Sequence, residues 1–134
     1  MKRRILLVDD DFTVITVVRQ LLEYVGFGVS PFTDSRDALA AFRKSPRDFD
    51  LVITDLKMPN LDGVHLSRAL LNTRPDIPII LCTGYCEGFT AEQAREIGIR
   101  EFMTKPLSLI EIVPAIERAV NRAAGPGDAH PRKS

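Results

Sequence analysis

Short apolar runs alternate along the chain with longer segments in which apolar residues recur every third or fourth position. A continuous apolar run of strand length is typical of a strand buried on both faces of a parallel sheet. Apolar residues at helical spacing predict amphipathic helices that cover such a sheet. The predicted strands are 5–8, 28–32, 51–54, 77–82 and 100–103, and a predicted helix follows each. Five strand–helix units in succession predict a doubly wound α/β fold with helices on both faces of a parallel sheet.

Local signals mark helix ends and one edge of the sheet. Asp11 is the predicted N-cap of the first helix, and Thr90–Gln93 has the pattern of a capping box that opens a short fourth helix. Pro31 has no backbone N–H to give to a ladder, so the second strand is predicted at an edge. Pro114 stands inside the last predicted helix and is expected to kink it or to delay its start.

Polar residues follow four of the five predicted strands. Asp9 and Asp10 follow the first strand, Asp55 the third, Thr83 the fourth and Lys105 the fifth. In an open parallel sheet, ligands bind at the carboxyl ends of the strands, where these residues meet. Three carboxylates packed together repel one another unless a cation joins them, and hard oxygen ligands suit Mg²⁺. The edge is therefore predicted to hold Mg²⁺ and a phosphoryl group on Asp55, with Lys105 and Thr83 neutralising its charge.

Four motifs, taken together, point to a family. They are 5–11 (ILLVDDD), 55–63 (DLKMPNLDG), 83–84 (TG) and 105–106 (KP). In this order and at this spacing they resemble the receiver domains of response regulators (CheY-like), over about residues 2–120. The resemblance implies a flavodoxin-like (βα)5 fold with strand order 2-1-3-4-5. Segments 81–85 and 98–103 look more like receivers attached to hybrid histidine kinases than like those of transcription factors.

Carried over by position, the resemblance implies which residues bind the metal and accept the phosphoryl group. Asp55 matches the phosphoacceptor and is also a metal ligand. Asp10 matches the carboxylate that binds Mg²⁺ directly, and the main-chain carbonyl of Lys57 supplies a further ligand. Asp9 matches the acid that reaches the metal through water.

The resemblance also implies a conformational switch. Thr83 and Lys105 match residues that hold the phosphoryl oxygens, and the Lys105–Pro106 peptide bond is expected to be cis. Phe102 matches an aromatic switch residue, whereas Gly84 stands where Ala is more frequent in the family. Phosphorylation is expected to shift an existing equilibrium, with Thr83 moving toward the phosphoryl group and Phe102 turning inward. A downstream protein would then dock on the face formed by the fourth helix, fifth strand and fifth helix.

Two functions use a nucleophilic Asp at a strand end. In the first, a histidine kinase or a histidine phosphotransfer protein donates the phosphoryl group to Asp55. The chain is then not an enzyme beyond its own Mg-dependent phosphorylation and autodephosphorylation. In the alternative, the chain is a Mg-dependent aspartyl-phosphate phosphatase of the haloacid-dehalogenase type. That class needs a second acid two residues after the nucleophile, and Lys57 occupies that position, so the receiver is favoured.

The composition of the chain bears on its number of domains, its partners and its location in the cell. The 134 residues predict one domain over 1–122, followed by a segment at 123–134 whose Gly, Pro and charge content indicates a disordered tail or linker stub. The 18 basic and 18 acidic side chains cancel, so no overall charge favours nucleic acid or a membrane surface. Apolar runs fall short of the roughly 20 residues that span a bilayer, and no signal-peptide core follows Met1. We expect a cytoplasmic protein with reduced thiols and with Cys82 in the core.

Overall fold

The computed structural model describes residues 2–84 and 88–121, in which five strands alternate with five α-helices. The strands are β1 (Arg4–Val8), β2 (Gly28–Phe32), β3 (Leu51–Asp55), β4 (Ile79–Thr83) and β5 (Glu101–Thr104). The helices are α1 (Phe12–Tyr24), α2 (Ser35–Lys44), α3 (Gly63–Thr73), α4 (Ala91–Ile97) and α5 (Leu109–Asn121), and a 3₁₀ turn at Pro46–Asp48 precedes β3. The predicted tail at 123–134 and the predicted domain end at 122 lie outside the described residues.

All five strands lie parallel in one sheet, in the order β2-β1-β3-β4-β5. This order confirms the predicted fold class and topology. The register pairs Val8 of β1 with Thr54 of β3, and Asp55 of β3 with Cys82 of β4. Pro31 lies on β2 at an edge of the sheet, as its missing N–H predicted.

Helices α1 and α4 begin at the predicted residues. The Asp11 carboxylate accepts hydrogen bonds from the N–H groups of Thr13 and Val14, which would otherwise be unpaired at the start of α1. Thr90 and Gln93 form the predicted capping box at the start of α4. An N-cap of this kind stabilises a helix by about 1 kcal/mol.

Strand β4 begins at Ile79, two residues later than the sequence predicted. The N–H of Ile77 donates to the carbonyl of Arg74 at 3.1 Å and so closes a turn instead of joining the ladder. Pro78 has no N–H to contribute, although its carbonyl accepts from Val52. The apolar run therefore includes two residues that belong to the connection rather than to the strand.

Helix α5 runs through Pro114 from a start at Leu109, so the predicted late start is wrong. Its first turn is formed, because the N–H of Ile112 donates to the carbonyl of Ser108 at 2.8 Å. The N–H that Pro114 lacks would have reached the carbonyl of Ile110, and Ile110 is 86% exposed, so water can replace that bond. Neither α5 nor any other helix in the described residues is long and apolar enough to cross a membrane.

The sheet separates two apolar layers, because successive strand residues point to opposite faces. Helices α1 and α5 cover one face, and α2, α3 and α4 cover the other. The first layer includes Ile5, Ile53, Ile80, Leu22 and Ile116, and the second includes Leu6, Val52, Leu81, Phe42 and Leu70. Each fully buried side chain of this size contributes roughly 2 kcal/mol. Among the described residues, the buried carboxylates belong to Asp9 and Asp55, which lie where β1 and β3 end, so the charged site lies at one edge of the core.

Candidate functional site

The carboxyl ends of β1, β3 and β5 bring four charged side chains together. Asp9 and Asp10 follow β1, Asp55 ends β3, and Lys105 follows β5. One carboxylate oxygen from each of the three aspartates can be chosen so that all lie within 4.8 Å of one another. Strands β1 and β3 are neighbours in the sheet, so the residues at their carboxyl ends lie side by side. The structure therefore gathers the acidic residues and the lysine that the sequence singled out.

The ammonium of Lys105 bridges two of the carboxylates. Its Nζ lies 2.8 Å from Oδ2 of Asp9 and 3.1 Å from Oδ1 of Asp55. The N–H of Lys105 donates to the carbonyl of Thr83 at 2.8 Å, which extends the contact between the β4 and β5 chains up to the site. The Lys105–Pro106 peptide bond is cis, as the resemblance implied.

The three consecutive aspartates have different surroundings. Asp9 is buried, and both of its oxygens accept hydrogen bonds, Oδ1 from the N–H of Asp11 at 2.9 Å and Oδ2 from Lys105. Asp10 is exposed, although one of its oxygens belongs to the acidic cluster. Asp11 caps α1 and does not belong to that cluster. The predicted role of Asp11 as a helix cap is therefore confirmed, and the roles of Asp9 and Asp10 at a metal stay predictions.

The pKa values of Asp55 and Lys105 are both raised, but for different physical reasons. Burial raises the pKa of the Asp55 carboxyl above its ordinary value, the charge of Asp9 raises it further, and Lys105 opposes both. Burial alone would lower the pKa of Lys105, but its hydrogen bond to Asp9 and the two carboxylate charges outweigh burial and raise it. A cation would relieve the repulsion between the carboxylates. An all-oxygen donor set without thiol or imidazole fits a hard divalent ion such as Mg²⁺.

The two predicted switch residues lie on neighbouring strands. Thr83 ends β4, is 6% exposed, and donates its hydroxyl to the carbonyl of Gly84 at 3.2 Å. Phe102 on β5 is half-buried, and its ring centroid lies 6.0 Å from that of Phe89, with the planes tilted by 48°. Phe89 precedes α4, so the ring pair joins β5 to the segment that leads into that helix. Residues 85–87, which include Tyr85, lie outside the described residues.

Lys57 lies in the connection from β3 to α3, and its side chain is exposed. It therefore stands at the rim of the site, two residues beyond Asp55. Further along the same connection, the N–H of Gly63 donates to the carbonyl of Leu56 at 2.7 Å, which brings the start of α3 back to the end of β3. The role of the Lys57 carbonyl as a metal ligand stays a prediction.

Two residues beside Asp55 were not among those predicted for the site. Thr54 is fully buried and donates its hydroxyl to the main-chain carbonyl of Asp55 at 3.0 Å. A Cβ added at Gly63 would overlap that same carbonyl oxygen and would lie 2.9 Å from Cα of Leu56. A hydroxyl in an otherwise apolar strand and a glycine at a helix start were the only signals available from the sequence.

Comparison with known families identifies one match that covers most of the chain. The model described as the response regulator receiver domain matches residues 5–117. The C4-dicarboxylate transport transcriptional regulatory protein DctD of Rhizobium meliloti is 38% identical over 116 residues, or 86% of this chain and 25% of DctD. The transcriptional regulatory protein FixJ of Bradyrhizobium diazoefficiens is 31% identical over 122 residues, or 91% of this chain and 58% of FixJ. The chain thus spans about a quarter of the length of DctD and little more than half that of FixJ.

Solved structures give the same result for the fold. A response regulator receiver domain protein from Clostridium thermocellum superposes with a TM-score of 0.86 at 32% identity, covering 91% of this chain and 97% of that one. The structure titled FixJ-N superposes with a TM-score of 0.79 at 32% identity and covers 90% of this chain.

Proposed function

The chain belongs to the response regulator receiver domain family, whose members accept a phosphoryl group, and we propose that Asp55 is the acceptor. The observation that carries this assignment is the contact of Asp55 with Lys105 inside the three-carboxylate cluster. Asp9 is less suited, because both of its oxygens already accept hydrogen bonds. Asp55 ends β3, which is the central strand of the sheet and is buried along its whole length.

The donor we propose is a phosphohistidine on a histidine kinase or a histidine phosphotransfer protein. A carboxylate oxygen of Asp55 attacks the phosphorus, an O–P bond forms, and the P–N bond breaks with its electron pair leaving on the imidazole. Phosphoryl transfer of this kind depends on positioning and on stabilising charge at the phosphoryl oxygens. The Lys105 ammonium, 3.1 Å from Asp55, and the Thr83 hydroxyl would supply that stabilisation.

The cofactor we propose is Mg²⁺. Asp10, Asp55 and the main-chain carbonyl of Lys57 would bind it directly, and Asp9 would bind it through water. When bound, the ion would neutralise the clustered carboxylates and share phosphoryl oxygens. Asp9 would keep its orientation through the N–H of Asp11, which already fixes one of its oxygens at 2.9 Å.

The phosphatase alternative has no comparable support. An enzyme of the haloacid-dehalogenase type needs a carboxylic acid two residues after its nucleophile, and here that residue is Lys57, whose side chain is exposed. The family to which the chain belongs is a receiver family. We propose that this domain turns over no small phosphorylated substrate and that its chemistry is limited to gaining and losing its own phosphoryl group.

The output we propose is a change on the face formed by α4, β5 and α5. Thr83 would move toward a phosphoryl group on Asp55, and Phe102 would turn inward into the space beside it. The ring contact between Phe102 and Phe89 offers a route from β5 to the start of α4, since the two centroids are 6.0 Å apart. A downstream protein would recognise the altered face.

The relatives suggest a setting for this switch. DctD and FixJ are transcriptional regulatory proteins by name, whereas the sequence segments favoured a hybrid histidine kinase. We propose that this receiver controls a transcriptional regulator, and the hybrid-kinase setting stays a prediction. Over the whole sequence the basic and acidic side chains balance, 18 against 18, so any contact with nucleic acid would fall to another part of such a protein.

The direct test is labelling with acetyl phosphate and Mg²⁺, followed by intact mass measurement. We expect wild type to gain one phosphoryl group and Asp55→Asn to gain none, because the amide cannot act as the nucleophile. Asp48→Asn, an exposed aspartate in the 3₁₀ turn before β3, is the matched control and should label like wild type. Labelling of Asp55→Asn at wild-type yield would show that another residue is the acceptor.

A further inference from the structure

We infer that Thr54 is a positioning residue for phosphoryl transfer: its buried hydroxyl fixes the main-chain peptide of Asp55 and thereby the direction of the acceptor carboxylate. The inference rests on the proposed role of Asp55 as acceptor. Thr54 is 0% exposed, and its hydroxyl donates to the main-chain carbonyl of Asp55 at 3.0 Å. Thr54 itself touches neither donor nor metal in this scheme and acts through Asp55.

Packing gives no reason for a hydroxyl at this position. The neighbours of Thr54 across the sheet are Val8 on β1 and Leu81 on β4, both of which are buried and apolar. Valine has the same shape as threonine and would fill the same space without a polar atom. A buried hydroxyl costs stability unless it is hydrogen-bonded. The hydroxyl is therefore explained by the bond that it makes to Asp55 and not by the core around it.

That bond holds one end of a peptide group whose other end is held by the sheet. The N–H of Leu56, in the same peptide as the Asp55 carbonyl, donates to the carbonyl of Cys82 at 2.8 Å. On the opposite side, the β1–β3 ladder ends at the pair of Val8 and Thr54. Just beyond the last pair of that ladder, the Thr54 hydroxyl donates to the Asp55 carbonyl. The peptide between Asp55 and Leu56 is therefore held at both its carbonyl and its N–H.

The start of α3 confines the same carbonyl from another direction. A Cβ at Gly63 would overlap the Asp55 carbonyl oxygen, and the Gly63 N–H donates to the next carbonyl, of Leu56, at 2.7 Å. The Asp55 carbonyl therefore has little room to rotate without either losing the hydroxyl or meeting α3. Because the orientation of this peptide sets the backbone angle at Asp55, it also sets the direction in which the carboxylate points toward Lys105.

Orientation of the carboxylate matters because the transfer is in line. With acetyl phosphate as donor, an Asp55 oxygen forms a bond to phosphorus while the bond between phosphorus and the acetate oxygen breaks, and acetate leaves with the electron pair. Displacement of the nucleophile by a fraction of an ångström slows such a reaction without changing what binds. Loss of the Thr54 hydroxyl is thus expected to lower the rate constant more than the affinity for Mg²⁺.

The test compares Thr54→Val, which keeps the shape, with Thr54→Ser, which keeps the hydroxyl. The measurements are the labelling rate constant at saturating Mg²⁺, the Mg²⁺ concentration for half-maximal rate, and the thermal unfolding midpoint. For Thr54→Val we expect a rate constant lower by about fivefold or more, with half-saturation changed less than about twofold. Thr54→Ser should stay within about twofold of wild type. Thr73→Val removes a similar hydroxyl-to-carbonyl bond at the far end of α3 and should change neither rate value.

Three outcomes would overturn the inference. The first is labelling of Thr54→Val at the wild-type rate. The second is a Thr54→Ser variant slowed as much as Thr54→Val, which would make shape and not the hydroxyl the cause. The third is phosphorylation of the wild-type protein at a residue other than Asp55, in which case the proposed function fails as well. If Thr54→Val does not fold, the comparison is made between Thr54→Ser and Thr54→Ala, which differ by one oxygen atom. Equal labelling rate constants for these two variants would also overturn the inference.

Discussion

The Nζ of Lys105 lies 2.8 Å from Oδ2 of Asp9, although 96 residues separate the two in the chain. The same ammonium lies 3.1 Å from Asp55. One cation therefore serves two largely buried carboxylates, and a third carboxylate, of Asp10, stands beside them. Without a metal ion the cluster retains net negative charge, which opposes folding while preparing the site to bind a cation.

Removing the Asp55 charge should stabilise the metal-free protein at neutral pH. Burial and Asp9 raise the pKa of Asp55 in the folded state, so the folded protein binds this proton more readily than the unfolded chain does. The ionised carboxyl therefore lowers stability above the raised pKa, and its effect disappears below the ordinary pKa of an aspartate. We expect Asp55→Asn to have the higher free energy of unfolding at neutral pH in EDTA, with the advantage shrinking toward about pH 3.

Urea denaturation at several pH values would measure this difference. Asp48→Asn, which is exposed in the 3₁₀ turn, should give the wild-type pH profile apart from a small constant offset. A less stable Asp55→Asn at neutral pH would mean that the contact with Lys105 outweighs burial and repulsion. Addition of Mg²⁺ should reverse the order, because wild type then gains binding energy that the variant has largely lost.

Substitution of Asp10 should weaken Mg²⁺ binding, whereas substitution of its neighbour Asp11 should not. Asp10→Ala removes a predicted Mg²⁺ ligand and should weaken binding by about tenfold or more, since water replaces a charged ligand poorly. Asp11→Ala removes the cap of α1 and should cost about 1 kcal/mol of stability, with Mg²⁺ affinity within about twofold of wild type. Isothermal titration with MgCl₂ measures the affinity, and urea denaturation in EDTA measures the stability. Equal losses of affinity would shift the assignment of the metal ligand by one residue.

Gly63→Ala should impair both the fold and the site. The added Cβ would overlap the Asp55 carbonyl and would lie 2.8 Å from Cδ1 of Leu81. Overpacking of this kind typically costs about 1–3 kcal/mol, and we expect slower labelling of the folded fraction because the acceptor peptide must move. Gly26→Ala is the control: Gly26 has a φ of 109°, with nothing within 4 Å of the new Cβ. It should lose about 1–2 kcal/mol through backbone strain alone and should label at the wild-type rate.

The Cys82 thiol should report on opening of the core beneath the site. Burial raises its pKa to about 12, and the charge of Asp55 adds to the effect. Because only the thiolate reacts, we expect no alkylation by iodoacetamide in the native protein at neutral pH and full alkylation in denaturant. A Cys86→Ser background leaves Cys82 as the sole thiol. Native-state alkylation at the rate of an exposed thiol would contradict the buried environment.

The sequence predicted the architecture because two local features indicate it. These are the spacing of apolar residues within each segment and the alternation of strand and helix segments along the chain. Apolar runs predicted the first, third and fourth strands, two weaker segments at 28–32 and 100–103 completed the set, and alternation with helical segments predicted the layers. Errors arose at the boundaries of elements, where local backbone hydrogen bonds decided which residues belong to the element. Ile77 is as apolar as its neighbours, yet its N–H bonds to Arg74 and the ladder starts only at Ile79. Pro114 was expected to kink α5 or to delay its start, but α5 starts ahead of it, and the unmatched carbonyl lies on an exposed turn.

The sequence by itself determined which residues would meet, because the carboxyl ends of parallel strands share one edge of the sheet and Asp9, Asp55 and Lys105 directly follow or end their strands. Only the tertiary structure decided what each of these groups experiences. Asp9 and Asp10 are chemically identical neighbours, and burial, the Asp11 N–H and Lys105 distinguish them. The contact of Gly63 with the Asp55 peptide was likewise decided there, because it depends on how closely α3 returns to β3. No local pattern of apolar and polar residues specifies the distance between two elements.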